Sequence, residues 1–160
     1  MYINVFSAKW AKDVADLIVP IQQIEFGVEI TIQDQPDLQN IGAFYQTGKG
    51  GFWVARHNQQ VIGTIALKDI GNDETALRKM FVHENYRGSN KGVAKALLET
   101  LLAHATTSKV RTVYLGTTEK YQAAHRFYEK NGFEHVQESA LPASFPKMDV
   151  DSKFYKKHLK

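Results

Sequence analysis

The sequence predicts an α/β (α+β) fold in which a mixed, mostly antiparallel sheet of about six to seven strands is flanked by about four helices, and three observations carry this. Short runs of β-prone residues at Phe52 to Ala55, Val61 to Leu67 and Leu77 to Val82 follow one another with only turn residues between them, so they pair as an antiparallel meander. Leu97, Leu98, Leu101 and Leu102 form one apolar stripe at helical spacing within Val93 to Ala105. Beyond that helix, strand and helix patterns alternate to the end of the chain. The order is βαα, three antiparallel strands, αβαβ and a last strand, in one domain over residues 1–160 with no repeat, low-complexity tract or linker.

Each element has a local reason. Tyr2 to Phe6 alternates as a first strand, and Ser7 is a candidate cap for a helix bearing Val14, Leu17, Ile18, Ile21 and Ile24, which Pro20 should break or kink. Asp34 and Pro36 sit at cap and first-turn positions of a second short helix with Leu38, Ile41, Phe44 and Tyr45, and the segment between the two helices is rich in acids. Glycines 48, 50 and 51 end it and lead into the hairpin, which turns at His57, Asn58 and Gln59. Gly71, Asn72 and Asp73 turn the chain into the strand Leu77 to Val82. The Lys95 and Glu99 pair marks the outer face of the long helix. Val110 to Leu115 is a strand, Tyr121 to Lys130 a helix stopped by Asn131 and Gly132, and Phe133 to Val136 a further strand. After Pro142 and Pro146, Met148 to Tyr155 is expected as a final edge or inserted strand.

Composition narrows the chemistry. The chain has 160 residues, 43% hydrophobic and 23% charged, with no cysteine, so disulfides, thiolate metal ligands and a cysteine nucleophile are excluded. The absence of a membrane-length apolar run or of a leader-like start sets the expectation of a cytoplasmic protein without a membrane partner. A formal charge of +3 is too small to argue for a nucleic-acid partner, and Lys156, Lys157 and Lys160 read as a solvated end. The six histidines show no pair at metal-ligand spacing, so no metal is expected. Neither a G-x-G-x-x-G loop nor a Walker spacing is present, since Gly48, Lys49 and Gly50 are followed by glycine and open into a strand.

The segment most informative about function runs from Leu77 to Leu102, reading strand, glycine-bearing turn, helix, with Arg87, Gly88, Ser89, Asn90, Lys91 and Gly92 in the turn. Such a junction aims free backbone N–H groups and the positive end of a helix dipole at one point and suits a pyrophosphate; the same residues would also serve as an ordinary turn and cap.

The strand Leu77 to Val82, the stretch Tyr86 to Leu98 and the block Ala124 to Phe133, which holds Phe127, Tyr128, Glu129, Lys130, Gly132 and Phe133, together resemble the GNAT acetyltransferase superfamily. The resemblance implies an acetyl-CoA-dependent N-acetyltransferase in which backbone near Phe81 and Val82 pairs with the pantetheine arm. Amides from Arg87, Gly88, Ser89, Asn90, Lys91 and Gly92 through Val93 and Ala94 would cradle the pyrophosphate. It further implies that the strands Leu77 to Val82 and Val110 to Leu115 splay apart to admit the thioester. Two departures accompany it. Arg87 stands two residues too early for the family's loop, so either the loop is lengthened or Arg87 has another task. Tyr121 occupies a position where the family often has Asn, and is carried as a cofactor contact.

Acyl transfer to an amine needs a neutral nucleophile, a held oxyanion and a proton for the departing thiolate. Tyr128 matches the family tyrosine that gives that proton, against the alternative that its ring only packs beside Phe127. The base is poorly specified. Ala76 stands where many relatives have Glu, Glu74 reads as a surface charge beside a turn, and of Glu25, Glu29, Asp34 and Asp37 the preferred candidate is Glu25. This acidic region favours a small cationic amine as acceptor. Phe44, Phe52 and Trp53 read as core, while Phe145, Pro146 and Met148 are placed beside the acceptor by family position alone. The resemblance admits a homodimer. The rival reading is a non-catalytic acyl-CoA sensor or interaction module of the same fold.

Overall fold

A computed structural model describes residues 1–159; Lys160 lies outside the described residues. Its seven strands are β1 (Tyr2–Val5), β2 (Gly51–His57), β3 (Gln60–Gly71), β4 (Glu74–Val82), β5 (Thr112–Thr117), β6 (Glu134–Val136) and β7 (Lys153–His158). They form one sheet in the order β1-β2-β3-β4-β5-β7-β6, antiparallel throughout except where β4 meets β5. The helices are α1 (Ala11–Pro20), α2 (Pro36–Gln39), α3 (Ile41–Tyr45), α4 (Val93–Thr107) and α5 (Gln122–Lys130). The expected second helix is thus two, because Asn40 leaves helical backbone and uses its side chain to accept from the Ala43 N–H.

The sheet is covered on both faces, which explains why β2 and β3 are apolar nearly throughout rather than alternating. On one face the α4 stripe of Leu97, Leu98 and Leu101 packs with Ile62, Ile65, Leu67, Leu77, Tyr128 and Tyr155. On the other, Val14, Leu17 and Ile18 of α1 and Leu38, Ile41 and Tyr45 pack on Phe52, Val54 and Ala66. Phe52 and Trp53 are buried core as expected, while Phe44 is only partly buried.

Several boundaries moved for identifiable reasons. Ser7 makes no side-chain cap; a 3₁₀ turn over Ala8–Trp10 intervenes, closed by the Trp10 N–H on the Ser7 carbonyl at 2.9 Å. Pro20 ends α1 rather than kinking it. Lacking an N–H, it cannot continue the hydrogen-bond ladder, and the chain widens into a π turn over Ile21–Glu25, closed by the Phe26 N–H on the Ile21 carbonyl at 3.0 Å. The stop after α5 is a Schellman motif: Gly132 takes φ +90°, with N–H bonds from Phe133 to Tyr128 at 3.0 Å and from Gly132 to Glu129 at 3.2 Å. This motif absorbs Phe133, so β6 starts one residue later than expected.

The last strand is inserted between β5 and β6 and starts at Lys153, not Met148. The Asp151 carboxylate accepts from the Met148 N–H at 2.9 Å and holds that stretch as a turn. Lys156 and Lys157 are therefore part of the sheet and half buried, not a solvated end; Lys157 donates to the Asn131 carbonyl at 3.1 Å.

Gly63 of β3 is where α4 comes closest to the sheet, since a Cβ there would lie 2.9 Å from Leu97 Cδ1 and 3.3 Å from the Phe81 carbonyl oxygen. Gly63→Val should destabilise the protein by about 1–3 kcal/mol through overpacking, read as a lowered urea midpoint at unchanged m-value.

Candidate functional site

The site begins with a failure of pairing. β4 and β5 run parallel and pair only at Glu74 with Thr112, Thr75 with Val113 and Ala76 with Tyr114. From Leu77 onward the two strands part. Three groups hold the paired end together: Tyr114 donates to Glu74 at 3.1 Å, Arg111 lies 3.9 Å from the same carboxylate, and the Thr75 hydroxyl donates to the Thr112 carbonyl at 3.3 Å. Glu74 is therefore a largely buried clasp and not the surface charge the turn suggested; its side chain is 14% exposed. Burial, then the Glu74 bond, pushes the Tyr114 phenol up.

On the other side of β4 the ladder to β3 is irregular between Arg78 and Phe81, and Lys79 inside this bulge takes φ +52°. Bulges re-aim side chains, and a non-glycine residue at positive φ persists only where its surroundings hold it. Here the Thr64 hydroxyl donates to the Lys79 carbonyl at 2.7 Å. The Lys79 ammonium, nearly buried, donates to Gln35 Oε1 at 2.7 Å and lies 3.4 Å from Asp37, which also accepts from the Tyr45 hydroxyl at 2.6 Å. Burial pushes the Lys79 pKa down against the pull of Asp37, and pushes the Tyr45 phenol up.

β4 runs into a loop that opens α4. Gly88 and Gly92 have φ +104° and +73°, and α4 begins at left-handed Gly92 with no side-chain cap on its first-turn amides. Ser89, Asn90 and Lys91 are exposed beside it. Uncapped amides at the positive end of a fifteen-residue helix, next to a lysine, fit the pyrophosphate of coenzyme A. Arg87 is turned the other way: its Nε donates to the Val82 carbonyl at 2.7 Å, and its guanidinium meets Glu25 in a two-pronged pair at 2.7 and 3.1 Å.

Tyr128, on the inner face of α5, is 8% exposed, and among the described residues the only polar partner of its hydroxyl is Met80 Sδ of β4 at 3.7 Å. Burial holds its phenol protonated well above the usual range. It also packs against Phe127 and Phe133, so the packing role and a role at the gap coincide. Tyr121, at the start of α5, stacks on Phe26 at 4.5 Å, and Phe26 in turn lies 6.2 Å from Phe81, so three rings reach from β4 across to α5.

Of the four candidate acids, Glu25, Asp34 and Asp37 are engaged, and Glu29 is exposed. Glu25 holds Arg87, Asp37 holds Lys79 and Tyr45, and Asp34 accepts from the Thr31 N–H and hydroxyl, both at 3.0 Å. Both Glu25 oxygens are taken up by the Arg87 guanidinium. A cavity of about 480 Å³ between α1 and the ends of β3 and β4 is lined by Asp13, Asp16, His83 and Glu84, and Glu25 is the one residue it shares with the groups above. Tyr128 and Met80 meet beside the stretch of β4 that β5 no longer pairs.

Comparison with known proteins agrees with this geometry. The family model described as Acetyltransferase (GNAT) family matches residues 16–133. The chain is 41% identical over 104 residues to N-acetylaspartate synthetase of Xenopus tropicalis, covering 62% of this chain and 37% of that protein. It is 34% identical over 109 residues to N-acetyltransferase 8 of Mus musculus, covering 64% and 47%. The chain thus spans about a third to a half of the length of these curated relatives. Among solved structures, an acetyltransferase of GNAT family from Staphylococcus aureus superposes with TM-score 0.93 at 38% identity over 99% of both chains. An acetyltransferase from Streptococcus agalactiae superposes at 0.92 and 33% identity over 99% and 98%. A mixed sheet with a splayed parallel pair and an uncapped helix behind a glycine turn defines an acyl-CoA-binding transferase fold. The chain belongs to the GNAT acetyltransferase family.

Sequence reasoning passed over Arg78 and Lys79, because a basic pair inside a strand reads as solvent-facing until the bulge and α2 are in place. It also passed over Phe26 and Met80.

Two outcomes follow from these contacts. The Glu25 and Arg87 side chains are 30% and 41% exposed, so a double-mutant cycle with Glu25→Gln and Arg87→Gln should give a coupling of about 1 kcal/mol or less, shrinking in high salt. Tyr128 keeps its proton in the folded state above its unfolded value, so the stability it contributes is complete below about pH 10 and is lost as pH rises beyond. Tyr128→Phe should therefore flatten the alkaline fall in unfolding free energy by up to about 1.4 kcal/mol per pH unit, seen in urea melts across that range.

Proposed function

We propose that this protein transfers the acetyl group of acetyl-CoA to the primary amine of a small molecule, and the observation that carries the reading is Tyr128, a buried neutral phenol facing β4 where β4 and β5 part. The amides of Gly88 through Ala94 at the start of α4 hold the pyrophosphate, with Ser89, Asn90 and Lys91 beside it. The strand edge at Phe81 and Val82, which has no β5 partner, pairs with the pantetheine arm. Tyr121, stacked on Phe26, flanks that arm. Arg87 and Glu25 act together as a strut that fixes the π turn against the pyrophosphate loop. No metal enters the scheme.

Acetyl-CoA supplies an activated acetyl group as a thioester. The neutral amine nitrogen attacks the carbonyl carbon, the new C–N bond forms, and the C–S bond breaks as the tetrahedral oxyanion, held by an N–H near Phe81 or Val82, collapses. Tyr128 then gives its proton to the departing thiolate. A phenol is a sufficient acid because a thiol is itself the stronger acid and needs help only during cleavage. The surplus proton of the amine leaves to water, since Glu25 is tied to Arg87. The names of the relatives make aspartate the first acceptor to assay.

Calorimetry with acetyl-CoA followed by a thiol-release assay on a panel of amines tests the reading. Micromolar binding with turnover is expected, and Tyr128→Phe should lower kcat by roughly 100-fold while leaving acetyl-CoA affinity unchanged. Binding without thiol release on any amine would make the protein a sensor of acyl-CoA instead.

A further inference from the structure

Among the cations around the gap, Arg78 stands apart in having neither an anion nor a main-chain carbonyl as partner among the described residues. Lys79 is paired with Asp37, and Arg87 with Glu25. Lys68 donates to the Phe44 carbonyl at 3.2 Å. No carboxylate among the described residues lies within ion-pair distance of Arg78, and its one hydrogen bond goes to the thioether of Met148 at 3.4 Å, a weak acceptor. Asp151 feels the Arg78 charge but accepts from the Met148 N–H and does not reach the guanidinium.

The guanidinium is nevertheless held in place. It lies 5.9 Å from the ring centres of both Phe44 and Tyr45, and the Met148 turn covers another side. A half-buried guanidinium beside two aromatic rings, with no direct ion pair among the described residues, keeps N–H donors that a bound anion can take up. Its planar fork matches a carboxylate in two-pronged fashion.

The position of Arg78 on β4 relates it to the reaction. Arg78 is two residues beyond Ala76, the last pair with β5, and two before Met80, which touches the Tyr128 hydroxyl. The Lys79 bulge lies between them, so Arg78 faces Phe44 and Tyr45 while Met80 faces Tyr128, both on the stretch of β4 that β5 no longer pairs.

We propose that Arg78 binds the carboxylate of the acceptor, so that the acceptor is an amino acid rather than a simple amine. This rests on the acetyl-transfer reading above. A carboxylate on Arg78 would anchor the molecule with its amine directed along β4 toward the thioester, and the walls at that end are Phe44, Met148 and the Lys79 bulge. Such an amino acid still carries the cationic amine the acidic region suggested; its carboxylate is what selects it.

The test compares L-aspartate, L-glutamate and L-alanine with the same compounds amidated at every carboxylate, and with simple alkylamines, in the thiol-release assay. A charged hydrogen-bonded pair of this kind corresponds to roughly ten- to hundredfold in affinity. The free acids should therefore show a lower KM than their amides by that factor. Arg78→Gln should raise KM for the acids by the same factor with little change in kcat, leave KM for the amides unmoved, and bind acetyl-CoA as before; Arg78→Lys should restore part of the loss. Equal or better turnover of amides and alkylamines, or an Arg78→Gln variant that loses acids and amides alike, would overturn the proposal. Titration of the amino acids into protein saturated with coenzyme A separates the two levels of inference. Carboxylate-dependent binding that Arg78→Gln abolishes, in the absence of any turnover, supports the Arg78 site and removes the transferase reading. Turnover of other amines with no such binding removes the Arg78 site alone.

Discussion

The whole arrangement depends on β4 and β5 parting after three residue pairs. Parallel neighbours normally continue their ladder for the length of the shorter strand, and an unpaired strand edge inside a sheet leaves N–H and C=O groups in need of partners. The protein tolerates this edge because the paired end is clasped by Glu74, Tyr114 and Arg111, while the open end is closed from the far side by α5 and from above by the Phe26 and Tyr121 rings. The result is a slot whose walls are strand backbone on one side and the Tyr128 side chain on the other. An extended chain with amide groups of its own, such as a pantetheine arm, is the shape that completes such an edge.

The second constraint is the bulge at Lys79. Placing a β-branch-free residue at positive φ in a central strand and burying its ammonium are both costly, and neither would survive singly. They are compensated together by one network: Asp37 and Gln35 from the segment ahead of α3 receive the ammonium, Tyr45 steadies Asp37, and Gln22 exchanges hydrogen bonds with Gln35 at 2.8 and 3.0 Å. No buried side-chain nitrogen or oxygen among the described residues lacks a partner. The network ties α1, α2 and α3 to the bulge, so these helices are positioned by a strand irregularity that lies just beyond the last β4–β5 pair.

The π turn after Pro20 plays a parallel part at the other end. Widening the helix by one residue per turn carries Glu25 and Phe26 to where Arg87 and Tyr121 receive them. A proline in a helix pattern would ordinarily be read only as a stop. Here the missing N–H sets the offset that joins the first helix to the glycine-bearing loop ahead of α4.

Much of this protein was readable from sequence because it is local or periodic. The stripe Leu97, Leu98, Leu101 defines α4, the turns at Gly71 to Asp73 and Asn131 to Gly132 place their boundaries, and the glycines at 88 and 92 mark the phosphate-type loop, since each depends on backbone conformation or on one face of one element. The sequence also determined that two blocks on either side of β5 act together, which is how the family and Tyr128 were legible. It could not say that Arg87 would meet Glu25, 62 residues away, or that Lys79 would be buried on Asp37 while its neighbour Arg78 has no ion pair among the described residues. Charged side chains pair according to distances set by packing, and a charge alone carries no address. Only the tertiary structure decides which charges are neutralised by the fold and which remain to receive a ligand.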